Sequence, residues 1–339
     1  MSMHLETKNK EAFRLVNDAV WDIDSYKRSK ELERLISASD KLERAIEIDP
    51  SYMHALFYGA MVNDLIGKPK DATEQLERLL AAQPPFGAEI RYNLAVAYYH
   101  RYSHKYLEKA AEHFTSVISE TQNVALELLA RAGLAQTHAM WIIQPNKDQP
   151  NKEEALKHFN ESRTQYGLVL RELDRVVILD RAVEDEARWT ALNARGMSLM
   201  YYTDYFCQKD EAVSLLSEAL ANLMDADKYS PKNWANYCDI GSAHMRLGYW
   251  LDADSRPQEA YGHFHEAHRR LEEVIESLRP GYGFALYEKG RVYRLMGGFD
   301  EAVVYFLKAL EVNEDYRDVS NNTVNREKKL AEERSRRFP

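Results

Sequence analysis

Small and apolar residues recur along the chain at spacings that suit one face of a helix. In residues 288–315 three of them lie four and three positions apart on a single stripe: Ala302, Phe306 and Ala309. A Gly-Gly turn at residues 297–298 precedes this stripe, and a helical pattern containing Gly290 precedes the turn. The pattern therefore predicts a helix, a tight turn and an antiparallel helix, which together are too small to bury their own apolar faces.

The same triplet, a small residue followed by apolar or small residues at these two spacings, occurs seven times along the chain. The triplets are Ala38/Leu42/Ala45, Ala72/Leu76/Leu79, Ala110/Phe114/Val117, Ala155/Phe159/Ser162, Ala212/Leu216/Ala219, Ala260/Phe264/Ala267 and Ala302/Phe306/Ala309. Six of the helices predicted to precede them carry a small residue of their own: Gly59, Ala95, Gly133, Gly196, Gly241 and Gly290. The sequence therefore predicts about seven helix pairs.

This pattern resembles the tetratricopeptide repeat, and the last triplet with its preceding helix is a strong match. Pro50 and Pro84 each follow a triplet at the distance at which the family places a proline. Successive triplets begin between 34 and 57 residues apart, whereas the family period is about 34 residues. Much of the extra length falls in polar, proline-bearing loops such as residues 144–150 and 252–258.

The resemblance implies an all-α fold, an α-solenoid of about seven helix pairs wound into a right-handed superhelix. We expect residues 1–316 to form the array and residues 317–339 to form a charged capping helix and tail. Residues 165–188 fit either one long helix or two helices with a break near Val177, and we favour the break. Every proline falls at a proposed helix boundary or in the tail, and 45% of the residues are hydrophobic, enough for a continuous core.

Charge and composition limit the partners. A formal net charge of −9 disfavours nonspecific binding to nucleic acid or to an anionic membrane, which needs a basic face. No stretch approaches the roughly 18 to 20 apolar residues of a membrane span, and residues 1–13 contain no apolar signal region. Cys207 and Cys238 fit a reducing compartment as isolated residues on helices. We therefore expect a cytoplasmic protein, while the sequence leaves its oligomeric state open.

Catalytic and metal-binding patterns are weak. His263, His265 and His268 lie in the segment HFHEAH, which is one residue short of the H-E-x-x-H spacing that places two imidazoles one helical turn apart. We interpret them as ordinary helix histidines. The segment RGMSLMY lacks the second glycine of a nucleophile elbow, and no glycine-rich phosphate loop occurs. The sequence therefore predicts a non-enzymatic protein with no catalytic residues, no metal and no cofactor.

In tetratricopeptide arrays, the resemblance implies, the first helix of each pair lines a concave groove suited to an extended peptide or a helix. Tyrosine and arginine, which tend to dominate interface energies, are among the residues placed on this face. The groove candidates are Tyr92, Asn93, Tyr99, His100, Arg131, His138, Asn193, Tyr201, Asp239, Tyr287 and Arg291, with Phe57, Asn63, Met197, Arg246 and Arg294 beside them. About half of the tyrosines are expected only to fill gaps between helices.

Family members that hold a chaperone C-terminus use a clamp of Lys, Asn and Arg spread over three first helices. Here Asn93 and Arg131 occupy two of the clamp positions, but Leu56, Ala60 and Glu127 occupy the other three. The loss of both lysines argues against a chaperone clamp. Asn93 and Arg131 therefore remain candidates for a different ligand.

Two functions are consistent with the resemblance. The first is an adaptor that holds a protein or peptide segment in its groove. The second is a receptor similar to bacterial quorum-peptide receptors, which tighten around a short peptide and then capture or release an effector. We favour the first because no helix-turn-helix or other output domain is evident in the sequence.

Residues on two successive first helices predict one recognition patch. We hypothesise that Tyr92, Asn93 and Arg131 contribute to it, with Arg131 meeting a carboxylate or a carbonyl group. Asn93 would bond a peptide group, and Tyr92 would cover an apolar side chain. Glu127, one turn before Arg131, is the competitor: an ion pair with Arg131 would make this position purely structural.

Overall fold

The computed structural model describes residues 7–101, 104–143, 151–312 and 328–333. Within these ranges the chain forms fourteen α-helices of at least 13 residues and no β-strand. No described helix is long and apolar enough to span a membrane. The chain divides into two compact units, Met1–Arg101 with Glu108–Gln122, and Tyr102–Leu107 with Asn123–Pro339. The prediction of an all-α fold is therefore confirmed.

The first unit is built from five helices and most of a sixth, and each of its first four helices packs against the next one in the chain. Its helices are α1 Lys10–Ser29, α2 Leu32–Ile48, α3 Met53–Leu65, α4 Pro69–Ala81, α5 Gly87–Tyr99 and α6 His104–Glu120. One part of its core joins α1, α2 and α3 through small and branched side chains. Ala12 and Ala19 on α1 and Ala38 and Ala45 on α2 are fully buried there, so the helices approach closely.

The second unit continues the same pattern with longer helices. They are α7 Val124–Ile142, α8 Lys152–Leu173, α9 Arg181–Phe206, α10 Lys209–Tyr229, α11 Trp234–Ala253, α12 Pro257–Glu273, α13 Gly283–Met296 and α14 Phe299–Val312. A π-helical turn, Val274–Leu278, extends α12. Residues 328–333 are helical, and Ala331 is buried. The rest of the predicted tail, residues 317–327 and 334–339, and the loop at 144–150 lie outside the described residues.

Local side-chain chemistry fixes where many of these helices begin. The side chains of Asn9, Asn123, Asn151, Asp180 and Asn233 accept hydrogen bonds from backbone N–H groups in the first turns of α1, α7, α8, α9 and α11. These bonds satisfy donors that the helix itself leaves without acceptors. Prolines occupy the first turn of α4 and α12, where the missing N–H group has no cost.

The seven triplets lie on the second helix of successive helix pairs and face the core. Of their twenty-one residues all are buried except Phe159 on α8, which is only half-buried. On that helix the neighbouring His158 is buried instead, so α8 presents a slightly rotated face. The triplet pattern therefore predicted the buried face of six of these helices and most of the seventh.

The break expected near Val177 is confirmed. Helix α8 ends at Leu173 and α9 begins at Arg181, so residues 174–180 form the connection. The Arg188 guanidinium donates to the Leu173 carbonyl and to the Asp174 carboxylate across this connection. Val177 is exposed to solvent at its centre.

Glycines on the first helices of the second unit allow unusually close helix contacts. A Cβ atom on Gly196 would lie 2.6 Å from Cγ of Leu223 and 3.0 Å from the carbonyl oxygen of Ala219. A Cβ atom on Gly290 would lie 2.6 Å from the Phe306 ring. Real Cβ atoms do not approach other heavy atoms so closely. The glycines therefore set how near the two helices of a pair come to each other.

Replacing Gly196 with alanine should destabilise the protein by about 1–3 kcal/mol, because the added methyl group overpacks the contact with α10. Gly262 on α12 is exposed, and a Cβ atom there would meet no atom within 4 Å. Gly262→Ala should therefore be neutral or stabilise by up to about 1 kcal/mol, because alanine loses less backbone entropy in a helix. Urea unfolding of both variants measures the two effects, and equal effects would contradict a close contact at Gly196.

Replacing Phe306 with alanine should cost about 3–5 kcal/mol, because this ring is fully buried. The adjacent Leu307 is 40% exposed, so Leu307→Ala is a matched control with a much smaller expected loss. Hydrogen exchange should show Phe306→Ala loosening α13 and α14 first, since neighbouring helices share a core. Equal loosening of residues 30–80 in the first unit would argue against this local organisation.

Candidate functional site

In the first unit the predicted groove residues have neighbours that fix their orientation. The Tyr92 ring meets the Phe114 ring edge-on at 5.9 Å, and the Asn93 amide donates to the Glu89 carbonyl over 2.8 Å. Nδ1 of His100 lies 2.9 Å from the Asp64 carboxylate. Tyr92, Asn93 and His100 are half-buried, and Tyr99 is buried beside His100. Three of the four candidates therefore keep part of their surface in water.

The first unit also contains an aromatic cluster that the sequence predicted only in part. The His54 ring stacks on Phe86 at 5.4 Å, and Phe57 meets Phe86 edge-on at 5.5 Å. Phe57 was placed on the inward face by the sequence, but His54 and Phe86 were not. Phe86 lies in the connection before α5, where helical periodicity gives no information about its position.

In the second unit Arg131 is held by two neighbours. Its guanidinium lies 2.8 Å from the Glu127 carboxylate and donates to the Gln165 side-chain oxygen over 3.2 Å. The competing ion pair with Glu127 is thus present. Both side chains remain accessible, with Arg131 24% and Glu127 33% exposed. Tyr92 and Asn93 belong to the first unit and Arg131 to the second, so a shared patch remains a prediction.

Four polar side chains on α7, α9 and α11 form a buried chain of hydrogen bonds, which we call the amide ladder: Gln136, Asn193, Asn236 and Asp239. Gln136 donates to Asn193 over 2.6 Å. Asn193 in turn donates to Asn236 over 3.1 Å and to Asp239 over 2.9 Å. Asn193 is fully buried, so its amide connects three first helices and does not face solvent.

A charged cluster follows the ladder along α9, α11 and α13. The Arg246 guanidinium lies 3.2 Å from Asp204 and 3.5 Å from Glu288, and it covers the Tyr201 ring at 5.2 Å from the ring centre. Arg291 lies 2.9 Å from Glu288. Arg246, Glu288 and Tyr201 are buried. Breaking one partner of such a buried pair is costly, because the remaining charge is left in a poorly solvated place.

The pKa values of the buried carboxyl groups of Asp239 and Glu288 are shifted in opposite directions. Burial raises the pKa of Asp239 to about 7, the Glu288 charge adds to the rise, and Asn193 and Arg246 only partly offset it. Burial also acts to raise the pKa of Glu288, but Arg291 and Arg246 outweigh it and the pKa is lowered. Glu288 is therefore charged at neutral pH, whereas Asp239 gains and loses its proton there.

The histidines of the segment HFHEAH have three separate partners. Nδ1 of His263 lies 2.8 Å from Nδ1 of His244, the His265 ring meets Tyr261, and His268 bonds the Tyr293 hydroxyl over 2.9 Å. Among the described residues no group of three or more His, Cys, Asp or Glu side chains is placed to hold a metal ion.

A second histidine pair joins α7 to α8. Nδ1 of His138 lies 3.0 Å from Nδ1 of His158, and Trp141 stacks on His158 at 4.4 Å. Burial, with smaller contributions from the positive charges of His158 and Lys157, lowers the pKa of His138 to about 3. His138 is therefore neutral at physiological pH, and the two rings pack between the helices.

The structure thus sorts the predicted residues of the second unit into two groups. Asn193, Tyr201 and Asp239 are buried and join helices. Arg131, His138, Tyr287 and Arg291 are half-buried and partly accessible, and the Arg291 guanidinium lies 5.7 Å from the centre of the Tyr287 ring. Gln136, Asn236 and Glu288 complete the buried networks and were not singled out by the sequence.

The Asp239 side chain predicts a measurable pH dependence of stability. Its carboxyl group has an ordinary pKa of 3.8 and a pKa of about 7 in the folded chain, so between these values the folded chain binds one more proton than the unfolded chain. The contribution of Asp239 to stability therefore falls as pH rises from about 4 to about 7 and is constant above. Asp239→Asn should become progressively more stable relative to the parent over this range, by at most about 1.4 kcal/mol per pH unit.

Urea unfolding at several pH values measures this difference. Asp225→Asn is a suitable control, because the Asp225 side chain is 54% exposed beside Lys228. A stability difference between Asp239→Asn and the parent that does not change with pH would contradict the shifted pKa of Asp239.

The comparisons with known proteins agree with this architecture. Residues 239–315 match the family model described as Tetratricopeptide repeat. Among curated protein sequences none matches the chain. A tetratricopeptide repeat protein from Parabacteroides merdae ATCC 43184 is 13% identical in sequence, with a TM-score of 0.47, over 95% of this chain and 99% of that one.

Two structures of NprR are also similar. NprR in complex with its cognate peptide NprX is 14% identical with a TM-score of 0.59, over 96% of this chain and 89% of that one. The apo form of the quorum sensor NprR from B. thuringiensis is 14% identical with a TM-score of 0.47, over 97% of this chain and 89% of that one. The match of residues 239–315 to the tetratricopeptide-repeat model and the helix pairs throughout the described residues together support a tetratricopeptide-repeat architecture.

Proposed function

We propose that this protein is a non-enzymatic adaptor that binds a peptide or protein segment against the first helices of its repeats. The observation that carries the proposal is Arg131, a partly exposed guanidinium on a first helix that Glu127 and Gln165 hold in one orientation. A side chain fixed before binding loses less entropy when a partner arrives. Arginine and tyrosine at such positions contribute strongly to interface energies.

The arrangement of buried charges also favours an interaction module. Arg246 on α11 pairs with Glu288 on α13, and Arg291 pairs with Glu288 within α13, which stiffens the repeat that presents Arg291. Tetratricopeptide repeats generally serve as preorganised interaction surfaces. We place the protein in the cytoplasm, because its acidic composition and two separate cysteines suit that compartment.

A peptide-responsive receptor is the second candidate. One specific observation favours it, namely the similarity in fold to NprR in complex with its cognate peptide NprX. In that case a short peptide would bind first and alter the capture of an effector protein. The accessible residues would be the same, but the ligand would be a free peptide.

Affinity purification from the native host, followed by mass spectrometry, distinguishes the two functions. A protein recovered in stoichiometric amounts supports the adaptor. A short peptide that co-purifies supports the receptor. Recovery of neither would contradict both.

Arg131→Ala should weaken capture of the recovered partner by tenfold or more, because Arg131 is expected to meet a carboxylate or carbonyl group of the ligand. Glu127→Ala is the matched variant, since it removes the competing carboxylate and leaves Arg131 in place. Because Glu127 also helps to hold Arg131 in one orientation, this variant should weaken capture, but by less than Arg131→Ala does. Tyr92→Ala should also weaken capture, since the ring is half-buried and is proposed to cover an apolar side chain of the ligand.

The thermal midpoint of each variant is the control for folding. Arg131 and Glu127 are both partly exposed, so their midpoints should stay close to that of the parent. Unchanged capture together with a lower midpoint would mean that Arg131 only supports the repeat.

A further inference from the structure

The connection between α8 and α9 carries the two most exposed large apolar side chains of the described residues. Leu179 is 98% exposed and Val177 is 85% exposed, whereas the next most exposed, Tyr261, is 60% exposed. Both lie in a run of four apolar residues, 176–179, which we call the apolar loop. Adjoining exposed apolar side chains mark a surface at which another molecule can dock.

The apolar loop is anchored to the helices on both sides of it. Ile178 is half-buried and packs on the core shared by α7, α8 and α9, while Val177 and Leu179 beside it face solvent. Arg188 on α9 donates to the C-terminal end of α8, and the Asp180 carboxylate caps the start of α9. A loop that is fixed before docking loses less conformational entropy when it meets a partner.

The charges that border the apolar loop occur in the same order on both sides. Asp174 and Arg175 precede the loop, and Asp180 and Arg181 follow it. When two copies of the loop meet with opposite chain directions, Asp174 of one lies beside Arg181 of the other. Arg175 likewise lies beside Asp180, and a two-fold axis makes each of these contacts twice. The same chain direction in both copies would instead place like charges together, so the loop is complementary to itself in one orientation only.

The bordering charges are accessible to a second copy. The side chains of Arg175 and Asp174 are each 71% exposed, and that of Arg181 is 90% exposed. Within the chain Arg175 pairs with Glu172 at 3.5 Å and Arg181 pairs with Asp185 at 3.7 Å. Because such exposed ion pairs contribute little to stability, exchanging them for pairs with another molecule has a small cost.

We propose that the apolar loop is a self-association surface, at which two copies of this protein meet about a two-fold axis. Val177 and Leu179 of the two copies cover one another, and the bordering charges fix the antiparallel orientation. Stable interfaces bury about 1,200–2,000 Å². Since a loop of four residues with its borders offers less than this, the dimer is weak and its population depends on concentration.

The charge of this region favours a second copy over a lipid surface as the occupant. Residues 171–186 contain six acidic and three basic side chains, and an anionic membrane attracts basic segments instead. The inference goes beyond the proposed function and does not depend on it, because the apolar loop contains none of the proposed peptide-binding residues.

The test is sedimentation velocity of the full chain at about 5 to 500 µM and pH 7.5. The parent should shift from monomer towards dimer over this range. The double variant Val177→Ser/Leu179→Ser should need at least tenfold higher concentration for the same shift, because it removes the apolar contact from both copies. Met224→Ser is the matched control, since Met224 on α10 is 52% exposed and lies outside the loop, and it should behave like the parent.

A second pair of variants tests the orientation. Asp174→Lys and Arg181→Glu each place like charges together in a dimer, so each alone should associate at least tenfold more weakly than the parent. An equimolar mixture of the two should recover association, because every contact between the two variants then joins opposite charges. Circular dichroism and the thermal midpoint establish folding, and if Asp174→Lys does not fold, Arg181→Glu decides alone.

Three results would overturn the proposal. A parent that stays monomeric at every concentration would leave the apolar loop as a site for a different protein. Equal association by the parent and Val177→Ser/Leu179→Ser would place the contact between copies elsewhere. A mixture of Asp174→Lys and Arg181→Glu that associates no better than either variant alone would exclude the antiparallel arrangement.

Discussion

The contact between a small residue on one helix and a large side chain on its partner is the interaction on which this structure depends. Gly196 receives Leu223, Gly241 receives Leu271, and Gly290 receives the Phe306 ring. Only a residue without a Cβ atom leaves room at these distances, so each glycine sets the separation of two helices. Since each large side chain is buried only by its neighbours, stability must build up from one pair to the next.

Close packing of helices has a second consequence, which is that polar side chains on the first helices become buried. The Asn193 amide then has no access to water and must find its partners on α7 and α11, as it does in Gln136, Asn236 and Asp239. A buried amide without partners would cost free energy, whereas a satisfied one fixes the register between helices. The amide ladder therefore gives specificity to an interface that small residues alone would leave free to slide.

The sequence predicted the parts of this fold that depend on local spacing. The triplets identified the buried faces because helical periodicity needs no knowledge of the partner, and the break at Val177 follows from residues within one segment. The contacts of the ladder were not predictable in this way. Asn193 and Gln136 are 57 residues apart, and their meeting depends on the rotation of two helices about their axes. The contact between His244 and His263 was not predictable for the same reason, because the two residues lie on different helices. The local spacing of HFHEAH instead indicated that His265 and His268 share a helix face.

A repeated scaffold separates the position of a side chain from its chemistry. The ring positions on α5 and α6 hold Tyr98 and His113, stacked at 5.8 Å with nearly parallel planes, and those on α13 and α14 hold two tyrosines. The corresponding positions of other helix pairs, three residues after the small residue of the first helix or after the first triplet residue of the second, hold aliphatic or polar side chains, such as Val62 on α3, Gln75 on α4 and Leu199 on α9, so the repeat does not require a ring there. Side-chain chemistry thus varies inside the helix pairs as well as on their exposed faces.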